Sequence, residues 1–574
     1  MATEVKTTDV ALGITPRLDH RGFPFITDDQ RRAQRKAWIE LIDHDAVIDL
    51  ALRHYGGKAG GRIVGHANGS FNVCFFIELD DDDASANDGM DRSDHGEKSG
   101  VKWVVRIPIT PSLRGEDPWP RLQSEVATMR YLEKHTRIPI PHVHGFGNGA
   151  RLLKEEGTTA SVQEDEKKDS KADETQSYLI MDFVEGEKVF PSKLRDLDTK
   201  TRRNFLSQMV DILADLRTLE FPVIGSLLLN NDNADNDEPP KSPSSSLPAQ
   251  GPLHFLPNEP LFLPDSLPPF SSARDYIRFR YRMMSVAFEE PYRDHTLEDI
   301  RHELFAVHHL EAAYEDVAAG RVPSAIPWSP SNGSVSATKH ETIPNVKNIA
   351  SGVAKDDSGP FILTHTDMNT FNILIDDKWN IKAVIDWESA YTVPKCVFTP
   401  PAWITGHCGT FDRHELPKWQ RVHAEFRELL AEKAQTSSVC ETLQKEWYGA
   451  AEDEDALDRV LSLAECLRCA PEASHSFYSF FAPECMRRSL DRAAWRAERK
   501  TYKQTWSDLQ RGFFEQHAAL AAEAQRRADN CARYTAYLKD NDLYETEEDR
   551  LLAKRAKLIK DLRAKYPNMD HGLS

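Results

Sequence analysis

The stretch Phe361–Glu388, F-I-L-T-H-T-D-M-N-T-F-N-I-L-I-D-D-K-W-N-I-K-A-V-I-D-W-E, constrains this chain more than any other. Two short apolar runs, Phe361–Leu363 and Ile373–Ile375, flank a polar loop, and a third, Ala383–Ile385, follows the turn Asp376-Asp377-Lys378. Short apolar runs bounded by turn residues predict strand, loop, strand, turn, strand. The polar residues at the strand ends are His365, Asp367, Asn372 and Asp386. This set suits phosphoryl transfer from a nucleotide. That chemistry needs a carboxylate to orient and accept the proton of an attacking hydroxyl, and oxygen ligands to hold magnesium against the phosphates. Asp367 takes the first task, Asn372 and Asp386 the second, and His365 braces the loop backbone. A polar loop closing an ordinary hairpin is the plain alternative.

The spacing H-x-D-x-x-x-x-N, followed by a hairpin that ends in Asp, is the protein-kinase catalytic signature. With Asp386-Trp387-Glu388 behind it, the stretch resembles more closely the aminoglycoside phosphotransferase (APH) and choline kinase-like families. These often have Asp-Trp-Glu where protein kinases have Asp-Phe-Gly. The resemblance implies a protein-kinase-like two-lobed α+β fold, with a small sheet-containing N-lobe and a large, mostly helical C-lobe. It also implies ATP or GTP as cofactor with Mg2+, and a small-molecule hydroxyl as acceptor. Two positions depart from the family. Thr366 stands where it has Gly, and Asn369 where it often has a basic residue or His. They leave open a nucleotide- or metabolite-binding pseudokinase without turnover. A protein kinase fits less well, because Ala482-Pro483-Glu484 lies far beyond an activation loop of ordinary length.

Upstream, Arg62–Val64 reads as a short strand, Gly65 to Asn72 as a polar turn and Val73–Leu79 as a second strand. Strand, glycine turn, strand can place backbone N–H groups over phosphates, which makes Gly65, Gly69, Ser70 and Asn72 candidate nucleotide contacts. Any hairpin carrying two glycines reads the same way. The sheet resumes at Val101–Ile107. By resemblance Arg106 occupies the place of the family's nucleotide-contacting cation, and Glu125, on the amphipathic helix Arg121–His135, is its partner. Tyr178–Gly186 is an apolar strand breaking into Gly. In a kinase-like fold it is the hinge, with Asp182 and Val184 beside the base; a buried strand explains the composition equally well. The resulting division is 1–45, an extension with one helix; 46–184, the nucleotide-binding lobe; and 185–574, the helical lobe.

Composition excludes several classes. At 574 residues, 40% hydrophobic and 28% charged, the chain is an ordinary globular protein with polar insertions. A net charge of −19 without a basic stripe argues against nucleic acid as partner. Eight cysteines spread over this length make no disulfide framework, and Cys466-Leu-Arg-Cys469 lacks the second pair a zinc site needs. No apolar run approaches membrane-spanning length, and the N-terminus has no apolar signal core, so the expected location is the cytoplasm and no membrane partner is expected. The oligomeric state is not legible. Thr27-Asp28-Asp29-Gln30 predicts a capping box opening a helix to about Ile42. A second helix is expected from Asp45 to Tyr55. Asp80–Gly100, Arg151–Gln176, Leu228–Gln250 and Val322–Ser358 read as low-complexity insertions. Helical patterns fill most of the chain beyond Glu388, the longest running from Leu490 to Lys565.

Overall fold

The computed structural model describes residues 14–56, 60–80, 100–113, 115–154, 175–229, 247–254, 261–262, 267–323, 357–408, 415–449, 453–469, 472–482 and 507–544. Most of each of the four insertions lies outside the described residues, as do Pro483, Glu484 and both ends of the long C-terminal helical run.

Helix α1, Asp28–Glu40, opens on the expected capping box. The Thr27 side chain accepts the Gln30 N–H, and the Gln30 side chain accepts the Thr27 N–H. Helix α2, His44–Tyr55, is capped by Asp43 and ends at Gly56, whose φ of 112° suits glycine. Five strands come next, interrupted by helix α3, Pro118–His135. They are β1, Gly61–Asn68; β2, Asn72–Leu79; β3, Val101–Pro108; β4, Val143–Ala150; and β5, Gln176–Asp182. They form one antiparallel sheet in the order β1-β2-β3-β5-β4.

Strand alternation sorts the side chains of this sheet. Val73, Phe75, Ile77 and Leu79 of β2 and Trp103, Val105 and Ile107 of β3 point into a core closed by Trp38, Val47 and Leu50 from α1 and α2. The intervening positions Cys74, Phe76, Val104 and Arg106 are delivered to the opposite face, where they line a cavity. The two-residue period thus puts Arg106 beneath the sheet, at a position 6% exposed.

In the larger part of the molecule, α4, Thr199–Arg217, buries Phe205, Met209, Ile212, Leu213 and Leu216 as the helical period requires. The motif strands lie beside it: β6, Phe361–Thr364; β7, Ile373–Ile375; and β8, Ile381–Val384. The expected order of elements holds, but β6 does not pair with its neighbour β7. It pairs instead with Tyr391–Val393 and Glu220–Phe221, whereas β7 pairs with β8 and with Glu187–Lys188. Further helices include α5, Ala273–Ala287; α6, Leu297–Ala318; and α7, Leu416–Ala434. Within the long C-terminal run the described residues contain α8, Ala518–Asp540. Tyr534 and Leu538 of that helix pack on Phe23, so the N-terminal segment rests on the last described helix. None of the described helices is long and apolar enough to cross a membrane. The molecule is a two-lobed, protein-kinase-like α+β fold.

Candidate active site

The cavity between the five-stranded sheet and the β7–β8 hairpin has a volume of about 560 Å3. Ten residues singled out in the sequence or adjoining them line it together: Gly69, Ser70, Asn72, Arg106, Asp182, Val184, Asp367, Asn372, Asp386 and Glu388. His365 and Glu125 stand behind this surface, each hydrogen-bonded to a residue that lines it, Ile385 and Arg106 respectively. Gly65 requires a correction. β1 runs on to Asn68, and Gly65 lies within it, at a register shift opposite Phe76, away from the cavity lining. The turn is only Gly69–Phe71, because Asn68 still pairs with Val73 and the Gly69 N–H donates to the Asn72 carbonyl.

The motif loop is tied to the segment after β8 at three points. His365 Nε2 donates to the Ile385 carbonyl at 2.9 Å, the Ile385 N–H donates to the Asn372 carbonyl at 2.9 Å, and Thr366 Oγ1 donates to the Ser389 carbonyl at 2.6 Å. The carbonyl can only accept, so His365 carries its proton on Nε2. Burial holds its pKa below the usual value, which keeps the ring neutral in this role. The ring also packs on Trp387, with centroids 4.6 Å apart. Below the loop, Trp403 Nε1 donates to the Met368 carbonyl at 2.8 Å.

Within this frame the Asp367 carboxylate accepts the Asn369 amide at 2.9 Å and the Asn372 amide at 3.3 Å. Burial raises its pKa, against the pull of His365. Asn372 also donates to the Asp367 carbonyl at 2.9 Å, which leaves its Oδ1 available to a ligand. Asp386 sits in the left-handed region at φ 69°, an uncommon conformation for a residue other than glycine. Its Oδ1 is buried without a hydrogen-bond partner, although Arg106 Nη2 lies 3.6 Å away. Burial, then the neighbouring Glu388, push its pKa up to about 7.

Arg106 is the hub of the charged groups. Nη1 donates to Glu125 at 2.5 Å and Nη2 to Glu388 at 2.8 Å. Burial opposes its charge, but Glu125, Glu388 and Asp386 outweigh that and hold it firmly protonated. Glu388 also accepts the Asn72 side-chain amide at 3.0 Å. Glu388 and Asn72 are thus partners that local pattern did not reveal. They are 316 positions apart, and only the stacking of the sheet on the hairpin brings them together. Among charged residues lining the cavity, Asp182, Asp367, Asp386 and Glu388 face only Arg106 and Lys188. At the far end Asp182 accepts from His144, with 2.6 Å between Oδ1 and Nε2, and from the His142 N–H at 3.2 Å. Its side chain is therefore engaged with β4.

A buried carboxylate oxygen without a hydrogen bond, an amide oxygen lining the same cavity and an excess of lining carboxylates form a donor set that fits a hard divalent cation. Among the described residues no group of three or more His, Cys, Asp or Glu is placed to hold a metal, so the set here is limited to the Asp386 carboxylate and the Asn372 amide oxygen, with phosphate oxygens of a ligand left to complete it. Cys466 is a buried helix residue and Cys469 is its helix C-cap, so the C-x-x-C pair stays structural.

Residues 93–394, more than half of the chain, match the model of the phosphotransferase enzyme family, APH. No curated protein matches. Solved structures overlap most of the chain at low identity. Plasmodium vivax ethanolamine kinase is 11% identical, with 80% of this chain and 100% of that one covered and a TM-score of 0.29. Macrolide 2'-phosphotransferase MphH from Brachybacterium faecium is 13% identical, with 71% and 100% covered and a TM-score of 0.26. The gentamicin complex of APH(2")-IIa is 13% identical, with 74% and 98% covered and a TM-score of 0.30. On the extent of the family match, which takes in the motif loop, the hairpin and Arg106, this chain belongs to the APH phosphotransferase family.

Proposed function

We propose that the protein is a small-molecule kinase that transfers the terminal phosphoryl group of ATP or GTP to a hydroxyl. The observation that carries this reading is the unpartnered, buried Oδ1 of Asp386 in the same cavity as Asp367 and Asn372. A scaffold has no use for a buried carboxylate oxygen left without a donor, whereas a magnesium site requires one.

The bound nucleotide would lie beneath the sheet, its phosphates under the Gly69–Phe71 turn and its base toward Asp182–Val184. Asp386 and Asn372 Oδ1 would hold Mg2+, which supplies charge neutralisation of the phosphates when bound. Asp367 receives the acceptor hydroxyl. Its carboxylate is held in place by two amide donors and orients the hydroxyl, then takes its proton as the oxygen attacks. Its raised pKa suits a proton acceptor. Arg106 is engaged at both Nη atoms by Glu125 and Glu388, so its principal task is to position these two carboxylates beside Asp386. Similar solved structures include an ethanolamine kinase and a macrolide 2'-phosphotransferase, and the acceptor here is read as a small hydroxyl compound.

The test compares two isosteric variants against a panel of hydroxyl compounds. Asp367→Asn should lower turnover at least about a hundredfold with nucleotide affinity little changed. Asp386→Asn should weaken the magnesium dependence of nucleotide binding as well as turnover. Equal losses of binding in both would remove Asp367 as base. Nucleotide binding by the native protein without turnover on any acceptor would establish the pseudokinase instead.

A further inference from the structure

We infer that Asn72 and Glu388 form a latch that holds the Gly69–Phe71 turn down over the cavity before any ligand arrives. The inference rests on reading the cavity as a nucleotide site, and adds how its roof is held.

The anchor half is rigid. Glu388 is 6% exposed, and its Oε2 accepts Arg106 Nη2 at 2.8 Å. Arg106 is itself fixed by Glu125 at 2.5 Å. The same Oε2 accepts Asn72 Nδ2 at 3.0 Å. Two donors on one buried carboxylate oxygen fix its position, because each limits the other's freedom. The moving half is the turn. Asn72 is the first residue of β2, its carbonyl accepts the Gly69 N–H at 2.9 Å, and the adjacent Phe71 carbonyl accepts the Ile109 N–H at 2.7 Å. Tethering the Asn72 side chain therefore tethers the turn. Glu388 lies two residues after Asp386, so the roof is tied to the segment after β8 that presents the candidate metal ligand.

A preformed turn saves the entropy of ordering it when phosphates bind. Asn is the residue this needs. Its amide donates to the carboxylate, whereas Asp at the same place would set two carboxylates against each other in a buried site.

That contrast supplies the test. An Asn chosen only for turn geometry is replaced well by Asp, which makes the same side chain-to-backbone turns. In a latch, Asn72→Asp must be worse than Asn72→Ala, because it sets a second carboxylate against Glu388 where Ala only removes the bond. The readouts are hydrogen exchange of the Gly69–Phe71 amides without ligand and the thermal shift given by MgATP and MgGTP. We expect exchange to quicken about tenfold in Asn72→Ala and more in Asn72→Asp, with the thermal shift shrinking in the same order. Asn72→Asp matching or surpassing Asn72→Ala in protection of the turn would overturn the latch. So would unchanged exchange in both single variants. The exchange measurement needs no ligand, so absence of nucleotide binding by the native protein would defeat the reading of the cavity while the ranking still decides the latch.

Discussion

Asn369 donates its side-chain amide to the Asp367 carboxylate at 2.9 Å, and its own oxygen accepts the Phe371 N–H at 2.8 Å. One side chain thus caps the turn Thr370–Asn372 and points the candidate base. At a position where the resemblance leads one to expect a basic residue, the chain carries a neutral one that is bonded to the base. Thr366, the other departure, is likewise built in through its bond to the Ser389 carbonyl. Both departures are integrated parts of the loop.

Asn369→Ala should therefore lower kcat by about tenfold, because Asp367 loses a positioning donor, with the apparent affinity for nucleotide unchanged. Steady-state kinetics at saturating nucleotide measures it. A purely structural role would lower the melting temperature with no selective fall in kcat.

Thr366→Gly, which installs the residue usual in the family, should reduce activity rather than raise it. It removes the bond to Ser389 and adds backbone freedom where the loop is otherwise held. We expect a loss of about 1 kcal/mol in stability, read from denaturant midpoints, accompanied by a lower kcat.

Arg106→Ala should destabilise the protein by about 3–5 kcal/mol, since it strands Glu125 and Glu388 as buried carboxylates without their cation. Arg106→Lys should be intermediate, because one ammonium cannot reproduce a fork whose Nη1 serves Glu125 while Nη2 serves Glu388. Denaturant unfolding without ligand decides the matter. Unchanged stability with lost nucleotide binding would return Arg106 to the role of a direct phosphate contact.

Glu303 on α6 gives a pH-dependent prediction away from the cavity. Burial pushes its pKa up to about 7, with Arg527 pulling it down and Asp299 pushing it up. His295 Nδ1 stands 3.7 Å from the carboxylate. A carboxyl whose folded pKa exceeds its unfolded value contributes stability that is complete below about pH 4.3, and loses it as pH rises through about 7. Glu303→Gln should flatten that fall. The variant should match the native melting temperature near pH 4 and exceed it at pH 8, by up to about 3 kcal/mol of stability. Melting curves across that window measure the difference, and parallel curves for both proteins would exclude Glu303 as the titrating group.

Local chemistry determined much of this protein. The capping residues of α1 and α2, the alternation that sends Arg106 beneath the sheet, and the strand-loop-strand order of the motif are short-range properties that neighbouring residues decide. The motif spacing gathers His365, Asp367 and Asn372 into one loop for the same reason, since eight consecutive positions hold them all. Tertiary structure decided the rest. Glu388 became the acceptor of both Arg106 and Asn72, β6 paired with Tyr391–Val393 instead of β7, and β1 extended through Gly65 so that the turn shrank to three residues. Strand partners and register depend on which distant segment offers a matching face and free backbone groups. A buried carboxylate takes its partners from whatever elements stack against it. Neither is carried by spacing along the chain, because both are settled only when the sheet closes on the hairpin.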